Sequence, residues 1–187
     1  MRRSFLFIVW LTIAGGLLRD TSAQVPADFT LRARFFPGGG LVDYKDSEPW
    51  RLRITANGKA IQETWIIGSP RYPNGVSKSF TLSQQQLSRL VKAVQEAAFF
   101  SLPEEISKTD GDHFAGCVLA IQMRGQSRTV KFVWPTDEKG THNRPALTRF
   151  WKVWRAVLKA VPSPNHNSEA VWWLQHVRPD LVGQPSR

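Results

Sequence analysis

The sequence predicts an α+β domain: an antiparallel sheet of about five strands built from hairpins, with two amphipathic helices packed on one face. Three observations carry that expectation. Short segments such as Phe29 to Phe35 and Trp50 to Ala56 alternate apolar and polar residues with period two, the mark of half-buried strands. Two longer segments, Ser83 to Ser101 and Arg144 to Val161, place apolar residues at helical spacing. The order along the chain is strands, a helix, a strand pair and a closing helix.

The chain opens with Arg2 and Arg3, an apolar run from Ser4 to Leu18, and the small residues Thr21-Ser22-Ala23 before Gln24. This is the layout of a secretory signal peptide occupying residues 1–23. The run, about 15 residues, falls short of the ~20 that span a bilayer as a helix. Arg2-Arg3-Ser-Phe-Leu also resembles a twin-arginine export signal, although Phe7 stands where that signal has a basic residue, so the export route stays open. No cysteine lies near the cut, which excludes anchoring through a lipidated N-terminal cysteine.

In the first strand Phe29, Leu31, Ala33 and Phe35 share one face, and Thr30, Arg32 and Arg34 the other; Pro37 and three glycines end it. Trp50, Leu52, Ile54 and Ala56 then alternate with Arg51, Arg53 and Thr55. Asn57-Gly58 predicts a two-residue hairpin turn, whose central positions both need positive φ. The return strand, about Lys59 to Ile67, is expected to put Ile61, Trp65 and Ile67 on one face, and Gly68 to Lys78 reads as a loop. Ser83 and Gln86 form a capping box, with Leu82 and Leu87 as its hydrophobic staple. Leu87, Leu90, Val91 and Val94 continue the helix, which Pro103 requires to end by about Ser101. The adjacent Phe99 and Phe100 then diverge, one continuing the buried stripe and the other packing by Leu102.

His113 to Arg124 is a strand with Cys117, Leu119, Ile121 and Met123 facing inward, which makes the lone cysteine a core residue. Gly125-Gln126 is the expected turn, and Val130, Phe132 and Trp134 alternate along the partner strand. On the closing helix, Leu147, Trp151, Trp154, Leu158 and Val161 fall within a sector of about 80°. Arg149, Lys152, Arg155 and Lys159 fall in a separate sector of about 120°. The domain spans residues 27–162, and residues 163–187 form a short Trp-rich helix and an irregular tail.

The chain has 25 Lys+Arg against 15 Asp+Glu, a net charge of +10. Residues 1–23 hold Arg2, Arg3, Arg19 and Asp20, so the remaining 164 residues keep a net charge of +8. That balance favours acidic partners. Export makes an anionic envelope component or a protein the expected partner and nucleic acid an unlikely one. A single cysteine cannot form an internal disulfide, so the fold relies on packing.

Catalytic constellations are missing from the pattern. Gly68-Ser69-Pro70 is no nucleophile elbow, and there is no His-Glu-x-x-His. Gly38-Gly39-Gly40 has no Lys-Ser/Thr sequel and reads as a turn. Asp110-Gly111-Asp112-His113 lacks the remaining ligands of a calcium loop or a zinc site. The expectation is therefore a non-enzymatic domain with no cofactor. Its expected contact surface is the basic face Arg149, Lys152, Arg155 and Lys159, joined by the Trp172-Trp173 pair, which a short helix cannot bury on one stripe.

The segment "LSQQQLSRLVKAVQEAAFFSLP", with its helix followed by Phe-Phe-x-Leu-Pro, resembles emfourin-type bacterial domains and a neighbouring group of exported bacterial domains with no assigned function. The likeness covers about Phe29 to Val161 in element order and Leu87 to Pro103 in residues. Characterised relatives of the emfourin type inhibit thermolysin-like metalloproteases. The resemblance thus implies an alternative function, inhibition of a secreted metalloprotease, for which the proline-stiffened loop Gly68 to Lys78 is the candidate segment. This chain departs from the pattern by a longer front half, Leu41 to Lys78, and by its Trp-rich tail.

Overall fold

A computed structural model of the 187-residue chain describes residues 23–36, 50–64, 76–108, 116–133 and 141–162. In chain order these contain β1 (Thr30–Phe36), β2 (Trp50–Thr55), β3 (Lys59–Thr64), β4 (Val76–Thr81), α1 (Gln84–Glu96), β5 (Ser107–Lys108), β6 (Gly116–Met123), β7 (Gln126–Val133), β8 (Thr141–His142) and α2 (Arg144–Ala160). Six strands pair antiparallel in the order β4-β3-β2-β1-β6-β7, and β5 pairs with β8 in a separate ribbon. No helix among the described residues is long and apolar enough to cross a membrane. The expected signal segment, the Asp110-Gly111-Asp112-His113 cluster, Trp65, Trp134 and the Trp-rich tail lie outside the described residues.

The α+β class holds, with six strands in the sheet rather than about five. The added strand is β4, whose first residues belong to the expected loop Gly68 to Lys78. An edge strand of this kind buries little: Phe80 is half-buried while Ser77, Lys78, Ser79 and Thr81 are exposed. Its sequence therefore carries no clear alternation.

β1 is central, hydrogen-bonded to β2 on one side and β6 on the other. Phe29, Leu31, Ala33 and Phe35 are fully buried, together with Trp50, Leu52, Ile54, Cys117, Leu119, Ile121, Val130 and Phe132. Burial pushes the Cys117 thiol well above its ordinary pKa. Aromatic contacts tie α2 to this face: Trp154 meets Trp50 edge-on at 5.8 Å, and Trp151 meets Phe132 at 5.5 Å. The buried stripe of α2 is broader than the expected sector, taking in Phe150, Val153 and Val157, while Leu158 sits only at its margin.

The first hairpin differs from its predicted form in one decisive respect. Its loop has three residues, Ala56-Asn57-Gly58, because Ile54 pairs with Ala60. Gly58 alone has positive φ there, +83°, and its N–H closes the turn on the Thr55 carbonyl at 2.9 Å. A two-residue turn would have placed Ile61 opposite Ile54, facing the core. A register change of one residue sends every side chain to the other face. So Ala60 and Gln62 point inward, and Ile61 is the exposed residue. The two-residue turn with both φ positive occurs instead at Arg124-Gly125, one residue before the expected Gly125-Gln126, with Met123 paired to Gln126. The Asp28 carboxylate caps that turn by accepting both of its N–H groups.

α1 begins as the sequence specifies. The Ser83 hydroxyl accepts from the Gln86 N–H at 3.2 Å, and the Gln86 side chain accepts from the Ser83 N–H at 2.8 Å. The helix ends at Glu96, earlier than Pro103 demands, because Ala98 turns left-handed at φ 44°. One 3-10 turn, Phe99–Ser101, follows. Phe99 is fully buried, while Phe100 is half-buried and meets it edge-on at 6.0 Å.

Candidate anion-binding site

β1 and β2 each carry the pattern Arg-x-Arg with an apolar residue between, Arg32-Ala33-Arg34 and Arg51-Leu52-Arg53. Because Ala33 and Leu52 face the core, all four arginines face the other side of the sheet. The β1–β2 register then sets Arg32 directly opposite Arg53 and Arg34 directly opposite Arg51. Neighbouring strands put such opposed residues about 5 Å apart, and two residues along a strand span about 6.7 Å. The result is a two-by-two array of guanidinium groups on one small patch.

The flanking residues complete two rows across the sheet. The first runs Thr129, Ala120, Arg32, Arg53, Ile61, Ser79. The second runs Lys131, Val118, Arg34, Arg51, Glu63, Ser77. Glu63 is the sole acidic residue among the described residues of the six strands. The two rows therefore differ: the second carries a carboxylate beside its arginines, and the first carries an aliphatic side chain. Arg32, Arg34 and Arg53 are exposed and Arg51 is half-buried. The four line a concavity of about 670 Å³ together with Ile61 and Glu63.

Electrostatically this is an unfavourable arrangement for an isolated sheet. Like charges directly opposite each other are destabilising. No carboxylate among the described residues forms an ion pair with Arg32 or Arg53, whereas Arg34 and Arg51 are engaged in further interactions. Next to the array the sheet inverts ordinary polarity: Ile61 is 41% exposed, while Gln62 behind it is 3% exposed. The Gln62 Oε1 finds no hydrogen-bond partner among the described residues. Departures from local preference of this kind concentrate at functional sites.

The sequence-predicted contact residues stand elsewhere. Arg149 is turned inward along the protein surface: its guanidinium donates to the Ala97 carbonyl at 2.6 Å, to the Ala98 carbonyl, and to the Ser101 hydroxyl. Lys152 pairs with Glu96 at 2.6 Å, and that contact holds the Glu96 carboxyl below its ordinary pKa. Arg155 and Lys159 are exposed on α2. Two of the four expected basic contacts thus bind α1 and the turn after it. Trp172 and Trp173 lie outside the described residues, as does the loop up to Asn74-Gly75.

No protein-family model matches the chain, and no curated protein matches it. The arginine array is the constellation that strand-by-strand reading missed. Each Arg-x-Arg alone looks like the solvated side of a strand. The available signal was their repetition in two consecutive strands, which antiparallel pairing superimposes.

Proposed function

We propose that the protein is an exported, non-enzymatic binding domain that holds an anionic component of the cell envelope on the open face of its sheet. The observation that carries this reading is the opposed pairing of Arg32 with Arg53 and Arg34 with Arg51. Guanidinium groups bind phosphate and carboxylate through paired N–H donors, and an anion relieves the mutual repulsion of the opposed Arg32 and Arg53. In this reading residues 1–23 direct export and are removed, and both amphipathic helices pack on the sheet face opposite the arginines. The surplus of basic residues supplies the long-range attraction that brings the partner in.

The reading is tested by sedimentation of the purified chain with envelope fractions of its source cell over a salt series. The variant carrying Arg32→Gln, Arg34→Gln, Arg51→Gln and Arg53→Gln should bind at least about tenfold more weakly, with a flatter salt dependence. Arg155→Gln with Lys159→Gln should change little. The reverse result would move the site to α2, and unaltered binding by both variants would remove electrostatics from the account.

A further inference from the structure

We infer that the array recognises a linear phosphodiester chain of polyol type, lying along β1 and β2 with successive phosphates held by the Arg32–Arg53 and Arg34–Arg51 pairs. The inference rests on the binding reading above and names its ligand.

The geometry supports a chain rather than a single anion. The register sets two arginines opposite each other, within reach for both planar donor forks to engage one tetrahedral oxyanion. The second pair repeats that arrangement two residues along the strands, about 6.7 Å away. Two residues of extended peptide contain six backbone bonds and reach about 6.6–7.2 Å. A phosphate-oxygen-three-carbon-oxygen repeat also contains six backbone bonds, so its phosphates recur at nearly the same interval when extended. A polyol phosphate lying parallel to β1 would therefore stay in register with the arginine rows.

The two rows also predict unequal roles. The Arg32–Arg53 row has no acid beside it and carries Ile61, whose exposed methyl groups can pack on the carbon segment of the repeat. The Arg34–Arg51 row faces Glu63, which subtracts from its attraction, and both of its arginines already hold other interactions that a phosphate would have to share or displace. Arg32 and Arg53 are thus the primary anchor, and Glu63 weakens the second position.

Two other anionic surfaces fit less well. A nucleic-acid strand has the same six-bond repeat, but its binding sites use aromatic platforms on which bases stack. The described residues lining the concavity are arginine, alanine, leucine, isoleucine, glutamate and threonine, none of them aromatic. A bilayer surface is a plane, whereas the arginines line a concavity.

Calorimetric titration of the full chain with a synthetic oligomer of four glycerol phosphate units tests this. Glycerol 1-phosphate, oligothymidylate and phosphatidylglycerol vesicles serve as comparison probes. The oligomer should bind at least tenfold more tightly than the monomer. Arg32→Gln with Arg53→Gln should weaken it at least tenfold, and Arg32→Lys with Arg53→Lys should recover only part, since lysine keeps the charge without the fork. Glu63→Gln should tighten binding several-fold. An oligomer that binds no better than the monomer overturns the register argument. Tighter binding of vesicles overturns the choice of ligand yet leaves the envelope-binding reading intact when the four arginines still govern it, whereas tighter binding of oligothymidylate overturns both. If no anionic probe binds and envelope sedimentation is also unaffected by the arginine substitutions, both readings fall together.

Discussion

Arg149 of α2 grips the carbonyl of Ala98, a residue whose backbone stands in the left-handed region at φ 44°, ψ 51°. The same guanidinium reaches the Ala97 carbonyl, which the end of α1 leaves without a helical partner, while the Ala98 carbonyl also accepts from the Ser101 N–H. A residue that looked like a ligand contact is thereby a clamp between two helices and the Phe-Phe turn.

Arg149→Ala should therefore destabilise the fold by about 1.5–3 kcal/mol, the range for hydrogen bonds involving a charged group. Arg149→Lys should recover little, because an ammonium cannot span the Ala97, Ala98 and Ser101 acceptors together. Urea denaturation measures both. Full stability in the lysine variant would reduce the role of Arg149 to charge alone.

Gly58 and Gly125 both have positive φ, yet they should respond differently to alanine. A Cβ on Gly58 would lie 2.5 Å from the Leu82 carbonyl oxygen, a main-chain atom tied to Gly58 by the Leu82 N–H bond of 2.9 Å. Around Gly125 there is open space. Gly125→Ala should cost about 1–2 kcal/mol for the left-handed backbone, and Gly58→Ala distinctly more. Equal losses in chemical denaturation would mean that the β2–β3 loop can move away from Leu82.

Gln62 is buried with an unpaired carbonyl oxygen, so a volume-matched apolar residue should suit the site better. Gln62→Met is expected to raise stability by about 1–3 kcal/mol, the cost of a buried polar group without a partner. A loss of stability on thermal unfolding would show that the side chain makes a bond essential to the β2–β3 register. The same variant should leave the arginine face and its binding unchanged.

Asp28 accepts hydrogen bonds from the N–H groups of Gly125 at 2.7 Å and Arg124 at 2.8 Å, and these hold its carboxyl below the ordinary aspartate pKa. A carboxyl that is more acidic when folded adds stability above its unfolded pKa of about 3.9. That contribution is lost as pH falls through the lower folded value. The difference in stability between the native chain and Asp28→Asn should therefore be constant near neutrality and shrink below about pH 4. Denaturation midpoints collected from pH 2.5 to 7 decide the point, and a difference independent of pH would refute it.

Much of the architecture was legible before any coordinates. Leu87, Leu90, Val91 and Val94 mark one buried face at helical spacing, and the Ser83–Gln86 box forms as its four-residue pattern specifies. Cys117, Leu119, Ile121 and Met123 are all buried as their alternation predicts, although Val118 on the other face is buried too. These features depend on neighbours within a turn or a strand, where side-chain period and backbone chemistry act locally.

The site was not legible in the same way. Whether Ile61 faces water depends on a loop of three residues rather than two, a choice made where Gly58 packs against Leu82. Whether Arg149 is available to a ligand depends on acceptors some 50 positions earlier in the chain. The sequence by itself determined the polarity of each strand and helix, because alternation and amphipathicity are properties of single segments. Only the tertiary structure decided that Arg32 meets Arg53 and Arg34 meets Arg51, because strand register couples residues whose separation in the chain carries no local signal.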